Sequence, residues 1–278
     1  MHERMMRKRA LETVCYVAGA GAFSVFIRWL QTMLAYNDDG LVEKSLLNVL
    51  VPAMILLSAW VFRGFIKRFA KDGLYIGEDF YEVMKNEGRL YEILRWLIGA
   101  VMFVGSVMLL MECEVDRDAG FLRVLSLLGA ISAFAFPILL AEANKPHVSK
   151  QNGCCVLGSV PIVMFSFWLV TCYKMNSINP VVWDYAVEVI TIIVCVLSFF
   201  RLAGFQFSNP APERALFFAM LGGALCIMNL ADNRYMGMQL MYFSAAAMQL
   251  LYVWIMICNM RKKEKEETAQ PEDGFEHL

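Results

Sequence analysis

Histidine is scarce in this chain: three copies, His2, His147 and His277, none inside a long apolar run. A bis-histidine haem, a histidine-box iron site and an HExxH zinc helix each need paired imidazoles, so all three are excluded. The chain also lacks a GxxxxGK[ST] phosphate loop and a GxSxG nucleophile turn, and it has no second aspartate at membrane depth that would complete a protease dyad. Transport driven by ATP would therefore need another polypeptide. No lysine lies in the last two apolar runs, which disfavours a retinal Schiff base there. An excess of one charge is missing as well: 25 Lys plus Arg stand against 26 Asp plus Glu, so nothing points to a nucleic-acid partner. The reading leans away from an enzyme, and no cofactor or metal is expected.

What is present is apolar surface. Hydrophobic residues make up 59% of 278 positions, charged residues only 18%, and the mean hydropathy is +0.51, too apolar for a water-soluble domain. A bilayer core of about 30 Å takes roughly 20 apolar residues per helix. Eight runs meet that length, at about 10–35, 45–67, 93–111, 121–142, 153–173, 182–204, 214–231 and 236–259. The fold class is all-α: a polytopic membrane helix bundle over residues 1–260, in contact with the lipid bilayer, followed by a charged tail at 261–278. A signal peptide in place of the first span would need an uninterrupted apolar region, and Glu12 breaks it.

Basic residues fix the orientation that the sequence predicts. Arg4 to Arg9, Arg63 to Lys71, Lys85 to Arg95, Lys145, Lys150, Arg201, Arg214 and Arg261 to Lys265 all fall on the side of the N-terminus. Lys44, Arg117, Arg123, Lys174 and Arg234 fall opposite, so the positive-inside rule puts both termini in the cytoplasm of a cell membrane. Trp60 and Trp96 at inner ends, and Trp168 and Trp183 beside an outer gap, agree with headgroup preference.

One connector is long, about 68–92. In it Phe80, Val83 and Met84 share a helical face, which suits an amphipathic helix on the inner membrane surface, a segment that docks a cytoplasmic protein partner, or a plain linker. Beyond a basic start at Arg261, Lys262 and Lys263, the tail turns Glu-rich and is expected to be disordered. A shift of 140 residues places Cys15 on Cys155, Lys44 on Asp184 and Asn48 on Glu188, a faint sign of a 4+4 parallel repeat. Pro52, Pro137 and Pro161 lie inside spans without partners under that shift. Pairs of small residues, such as Gly129 with Ala133 and Ala219 with Gly223, allow close helix approach.

Ionisable groups at membrane depth are costly and mark functional candidates. Arg28 and Gln31 lie in the outer half of the first span, Lys44 and Asn48 at the start of the second, and Asp184 and Glu188 one turn apart in the sixth. One reading has these six residues lining an outward-facing cavity that binds a small charged solute or ion, or carries protons, with Gln31 and Asn48 as neutral walls. The other has two buried salt bridges, Arg28 with Glu188 and Lys44 with Asp184, that lock helices together. The outer gaps hold further acids, Asp38, Asp39, Glu43, Glu112, Glu114, Asp116, Asp118 and Asp232; clustered, they could concentrate cations or bind a divalent ion, but calcium-loop spacing is missing and solvated turns are the plainer reading.

Of the eight cysteines only Cys113 and Cys172 fall near the outer face, so these two would form any oxidised bridge; otherwise they are buried thiols. The methionines around the eighth span, Met236 to Met248, read as packing rather than a copper path, since no histidine accompanies them. The function expected is transport of a small solute or ion, alone or as a transporter component. A membrane sensor, scaffold or assembly subunit acting through the loop at 68–92 and the tail is the alternative. A lipid-modifying enzyme would have to use Glu112 to Asp118 or Glu142 to His147.

Overall fold

The computed structural model describes residues 2–34, 47–113, 119–144, 151–177, 182–207, 209–232 and 234–262. Eight long helices account for most of them: α1 (His2–Leu34), α2 (Leu47–Lys71), α4 (Arg89–Glu112), α5 (Ala119–Glu142), α6 (Gln151–Asn176), α7 (Val182–Gly204), α8 (Pro212–Met228) and α9 (Met236–Cys258), with a four-residue α3 (Phe80–Val83) between α2 and α4. Each long helix is apolar and long enough to cross a membrane, which makes this a multi-pass helical bundle.

The helices match the apolar runs to within a few residues, except that α1 starts at His2 rather than near residue 10. Met6, Ala10, Thr13 and Val17 explain the difference. They recur at helical spacing and are all buried, so the first turns continue one packed stripe although their other faces carry charge. Arg7 and Glu3 pair on that exposed side at 2.7 Å.

Many large apolar side chains point outward. Trp60 is 74% exposed, Val49 and Leu56 70% each, as expected of side chains that meet lipid. The centre is α9, which packs on α1, α4 and α8 along its length and sends Tyr242 to Trp168 of α6 and Tyr252 to Phe136 of α5. Close approach of α4 to α9 depends on two glycines that face each other. A Cβ on Gly105 would meet Leu240 at 2.9 Å and the Gly237 carbonyl at 3.0 Å, and a Cβ on Gly237 would meet the backbone of Leu109 at 2.6 Å. In the first half of the chain α2 packs on α1 and α8, whereas its counterpart under the 140-residue shift, α7, lies between α6 and α8.

The connector between α2 and α4 is folded into the bundle. Phe80, Val83 and Met84 are buried, with Phe80 and Met84 beside Pro161, Leu202 and Tyr252. The apolar face expected to meet membrane or partner therefore meets the protein's own core. Asn86 fastens the segment by donating to the carbonyls of Met84 and Leu140 at 2.7 and 2.9 Å, and Asn259 donates to Val83 and Lys85 at 2.9 and 2.8 Å. Leu74–Tyr75 (β1) pairs antiparallel with Arg261–Lys262 (β2), which ties the connector to the end of α9. The remainder of the tail lies outside the described residues. The start of α1 and the end of α9 thus lie at one face, beside the connector, and the other ends of these two helices carry the polar site to the opposite one.

Candidate functional site

Helix α8 ends at Asn229, whose amide nitrogen donates to the Leu225 carbonyl at 2.9 Å and to Thr191 Oγ1 at 2.6 Å. A single 3-10 turn, Asn229–Ala231, follows, and Asp232 then turns to extended backbone before α9 begins. This connector is too short to leave the bundle, so its charges stay among the helix ends. Asp232 is 6% exposed, and Gln239 donates to its carbonyl at 3.0 Å, satisfying a backbone acceptor that a solvated turn would give to water.

Asp232 sits between two guanidiniums. Its Oδ1 accepts from Arg28 Nε at 2.8 Å, and its Oδ2 accepts from Arg234 at 3.0 Å. Arg234 also pairs with Glu188, whose other oxygen accepts from the Tyr242 hydroxyl at 3.0 Å; the Cys172 thiol donates to Glu188 Oε2 at 3.1 Å. The result is a neutral chain of alternating charges, Arg28, Asp232, Arg234, Glu188, that joins α1, the α8–α9 connector and α7. Burial of charge is tolerated here because each member faces an opposite charge and most remaining lone pairs are filled. Burial lowers the proton affinity of Arg234, but Glu188, Tyr242 and Asp232 facing it outweigh that, and its pKa is raised overall.

The expected pairing of Arg28 with Glu188 is therefore corrected: Arg28 takes Asp232, and Arg234 takes Glu188. The reason is tertiary, since the short connector delivers both Asp232 and Arg234 to the gap between α1 and α7. Gln31 and Asn48 belong to the Arg28 end. Gln31 accepts from Arg28 at 2.7 Å and donates to Asn48 at 2.9 Å, so both are buried second links of the network rather than cavity walls. Lys44 and the Asp184 side chain lie outside the described residues, as do Asp38, Asp39, Glu43, Glu114, Asp116 and Asp118. Cys113 and Cys172 are both free: the first donates to the Leu110 carbonyl at 3.2 Å and the second to Glu188, so no bridge joins them.

A cavity of about 1100 Å³ opens over this network at the face away from the start of α1 and the end of α9. Glu188, Asp232 and Arg234 form its polar floor; Trp29, Tyr185 and Tyr235 supply aromatic walls. Glu112, at the end of α4, is its third carboxylate. It accepts the Gly237 N–H at 3.0 Å, where the start of α9 favours an anion, and no cation pairs with it among the described residues. No group of three or more metal-ligating His, Cys, Asp or Glu side chains converges among the described residues.

Arg234 and Tyr242 are site residues that sequence reasoning did not select, and Asp232 and Cys172 entered it only as an outer-gap acid and as half of a possible bridge. The available signal was the length of the α8–α9 connector: a gap of a few residues between two spans cannot carry its charges away from the bundle. Compared with known families, characterised proteins and solved structures, the chain matches none.

Proposed function

We propose that the protein carries a small positively charged solute across a cell membrane, taking it up in the cavity above the Arg28–Asp232–Arg234–Glu188 chain, with both termini in the cytoplasm and the cavity facing outward. The observation that supports this reading best is the charge balance of the cavity. Among the described residues its lining holds three carboxylates, Glu112, Glu188 and Asp232; Arg28 and Arg234 balance the last two, so a cation entering it meets the one negative charge left over, on Glu112. Trp29, Tyr185 and Tyr235 offer ring faces that attract a cation further. A purely structural ion chain needs neither an open volume of about 1100 Å³ nor, at its edge, a carboxylate with no cation partner among the described residues. The sensor reading loses its best support, because the apolar face of the 68–92 connector is spent inside the bundle.

The test is thermal unfolding of the purified protein in detergent against a panel of small ammonium compounds and inorganic cations. A ligand that binds only the folded state stabilises it by about 2.7 kcal/mol at a hundred times its Kd. Glu112→Gln is the informative variant, since Glu112 is outside the ion chain. A cation that raises the midpoint of wild type but not of Glu112→Gln, and is then accumulated by vesicles containing the wild type, is the expected result. If no cation shifts wild type while Glu188→Gln loses several degrees, the carboxylates only hold helices together and the proposal fails.

A further inference from the structure

Glu188 is the first of four buried polar residues on one face of α7. Thr191, Cys195 and Ser198 follow at steps of three, four and three, the spacing that keeps side chains on one helix face. Each meets a buried polar partner from a neighbouring helix. Glu188 has the Tyr242 hydroxyl, Thr191 has Asn229 at 2.6 Å, Cys195 has the Cys226 thiol at 3.3 Å, and Ser198 donates to Gln249 at 2.7 Å. Below Gln249, one turn further along α9, Tyr252 shares a small void with Gln206, just past the end of α7. From Glu188 to Gly204 the helix rises about 24 Å at 1.5 Å per residue, most of a bilayer core.

Three buried side-chain atoms left unsatisfied border this ladder. Asn229 Oδ1, Gln249 Nε2 and Gln206 Oε1 are buried with no hydrogen-bond partner among the described residues. Asn229 Oδ1 lies on the cavity side of the cysteine pair and Gln249 Nε2 beyond it, while Gln206 Oε1 lies past the end of α7, against Gly158 of α6. Successive rungs on a helix face are about 5–6 Å apart. One water molecule with two hydrogen bonds spans that gap, and buried water collects where polar groups are otherwise unsatisfied.

We propose that this seam between α7, α8 and α9, continued past Tyr252 to Gln206 beside α6, is a hydrated proton path from the cavity floor at Glu188 to the opposite face. A proton arriving from the cavity joins a Glu188 carboxylate oxygen. Its departure along the seam passes from water to water past Thr191, the cysteine pair and Gln249, each water accepting one proton and releasing another, so no bond other than O–H changes and no oxidant is needed. The path works whether or not a solute occupies the cavity.

The experiment uses the full chain in vesicles of phosphatidylcholine and phosphatidylglycerol, with a potassium gradient set by valinomycin, no added solute, and an internal pH dye. Wild type is expected to take up protons faster than empty vesicles. Gln249→Leu and Thr191→Val, which remove polar groups at different rungs, bring uptake down to the empty-vesicle rate. Ser126→Ala removes a buried hydroxyl on α5, away from the seam, and leaves uptake unchanged. Wild-type uptake equal to that of empty vesicles overturns the proposal, even if neither rung variant folds. So does either rung variant that purifies folded and keeps the wild-type rate. Solute binding in the thermal assay is a separate readout, so the two ideas fail separately.

Discussion

Arg28 and Asp232 are 204 residues apart in sequence and 2.8 Å apart in space, with the arginine wholly buried. Asp232 is the one carboxylate shared by both guanidiniums of the ion chain, so neutralising it removes an opposite charge from each, although Arg234 keeps Glu188. Asp232→Asn is expected to cost about 3–5 kcal/mol of stability, the range seen when one partner of a buried pair is removed. Replacing Arg28 by Met in the same chain should recover part of that loss. Equilibrium unfolding of the single and double variants measures the coupling, and strictly additive effects would contradict the contact.

Tyr242 and Cys172 both donate to Glu188, but the phenol has the additional support of Trp168, whose ring centroid lies 4.4 Å away. Tyr242→Phe keeps that ring contact and removes only the hydrogen bond to a charged acceptor, so a loss of about 1.5–3 kcal/mol is expected. A change well below that range would mean that the hydroxyl does not hold the carboxylate.

The α4–α9 contact predicts a sharp contrast between two glycines. Gly237→Ala drives a methyl into the Leu109 backbone and should destabilise by about 1–3 kcal/mol through overpacking. At Gly19 no atom lies within 4 Å of an added Cβ, and alanine there should be neutral or slightly stabilising through helix propensity. Melting temperatures of the two variants decide the matter; equal shifts would argue against the close crossing.

Asn259 holds the 68–92 connector by two carbonyls. Its replacement by alanine should leave the bundle folded but loosen that segment, giving faster tryptic cleavage at Lys85 and Arg89. Unchanged cleavage would show that the buried Phe80, Val83 and Met84 secure it alone.

Cys113 and Cys172, being unbridged and buried, should not change the protein's mobility between reducing and non-reducing gels, and should label with a thiol reagent only after denaturation. A shift in mobility that disappears in Cys172→Ser would establish the bridge instead.

By itself, the sequence determined the helical class, eight apolar segments and the candidacy of Arg28, Gln31, Asn48 and Glu188, because the cost of exposing backbone or charge to hydrocarbon writes a local pattern that needs no knowledge of neighbours. It could not say which acid Arg28 meets, since any partner on another helix is a matter of packing and not of spacing. Only the tertiary structure decided that Asp232 and Arg234 are folded inward on a connector that composition reads as a solvated turn. It likewise turned Phe80 and Met84 from a surface face into core, and drew Thr191, Cys195 and Ser198 into line with Asn229, Cys226 and Gln249. Each of those residues looks unremarkable alone; the physics that matters lies in distances between helices, which the order of residues along one helix does not contain.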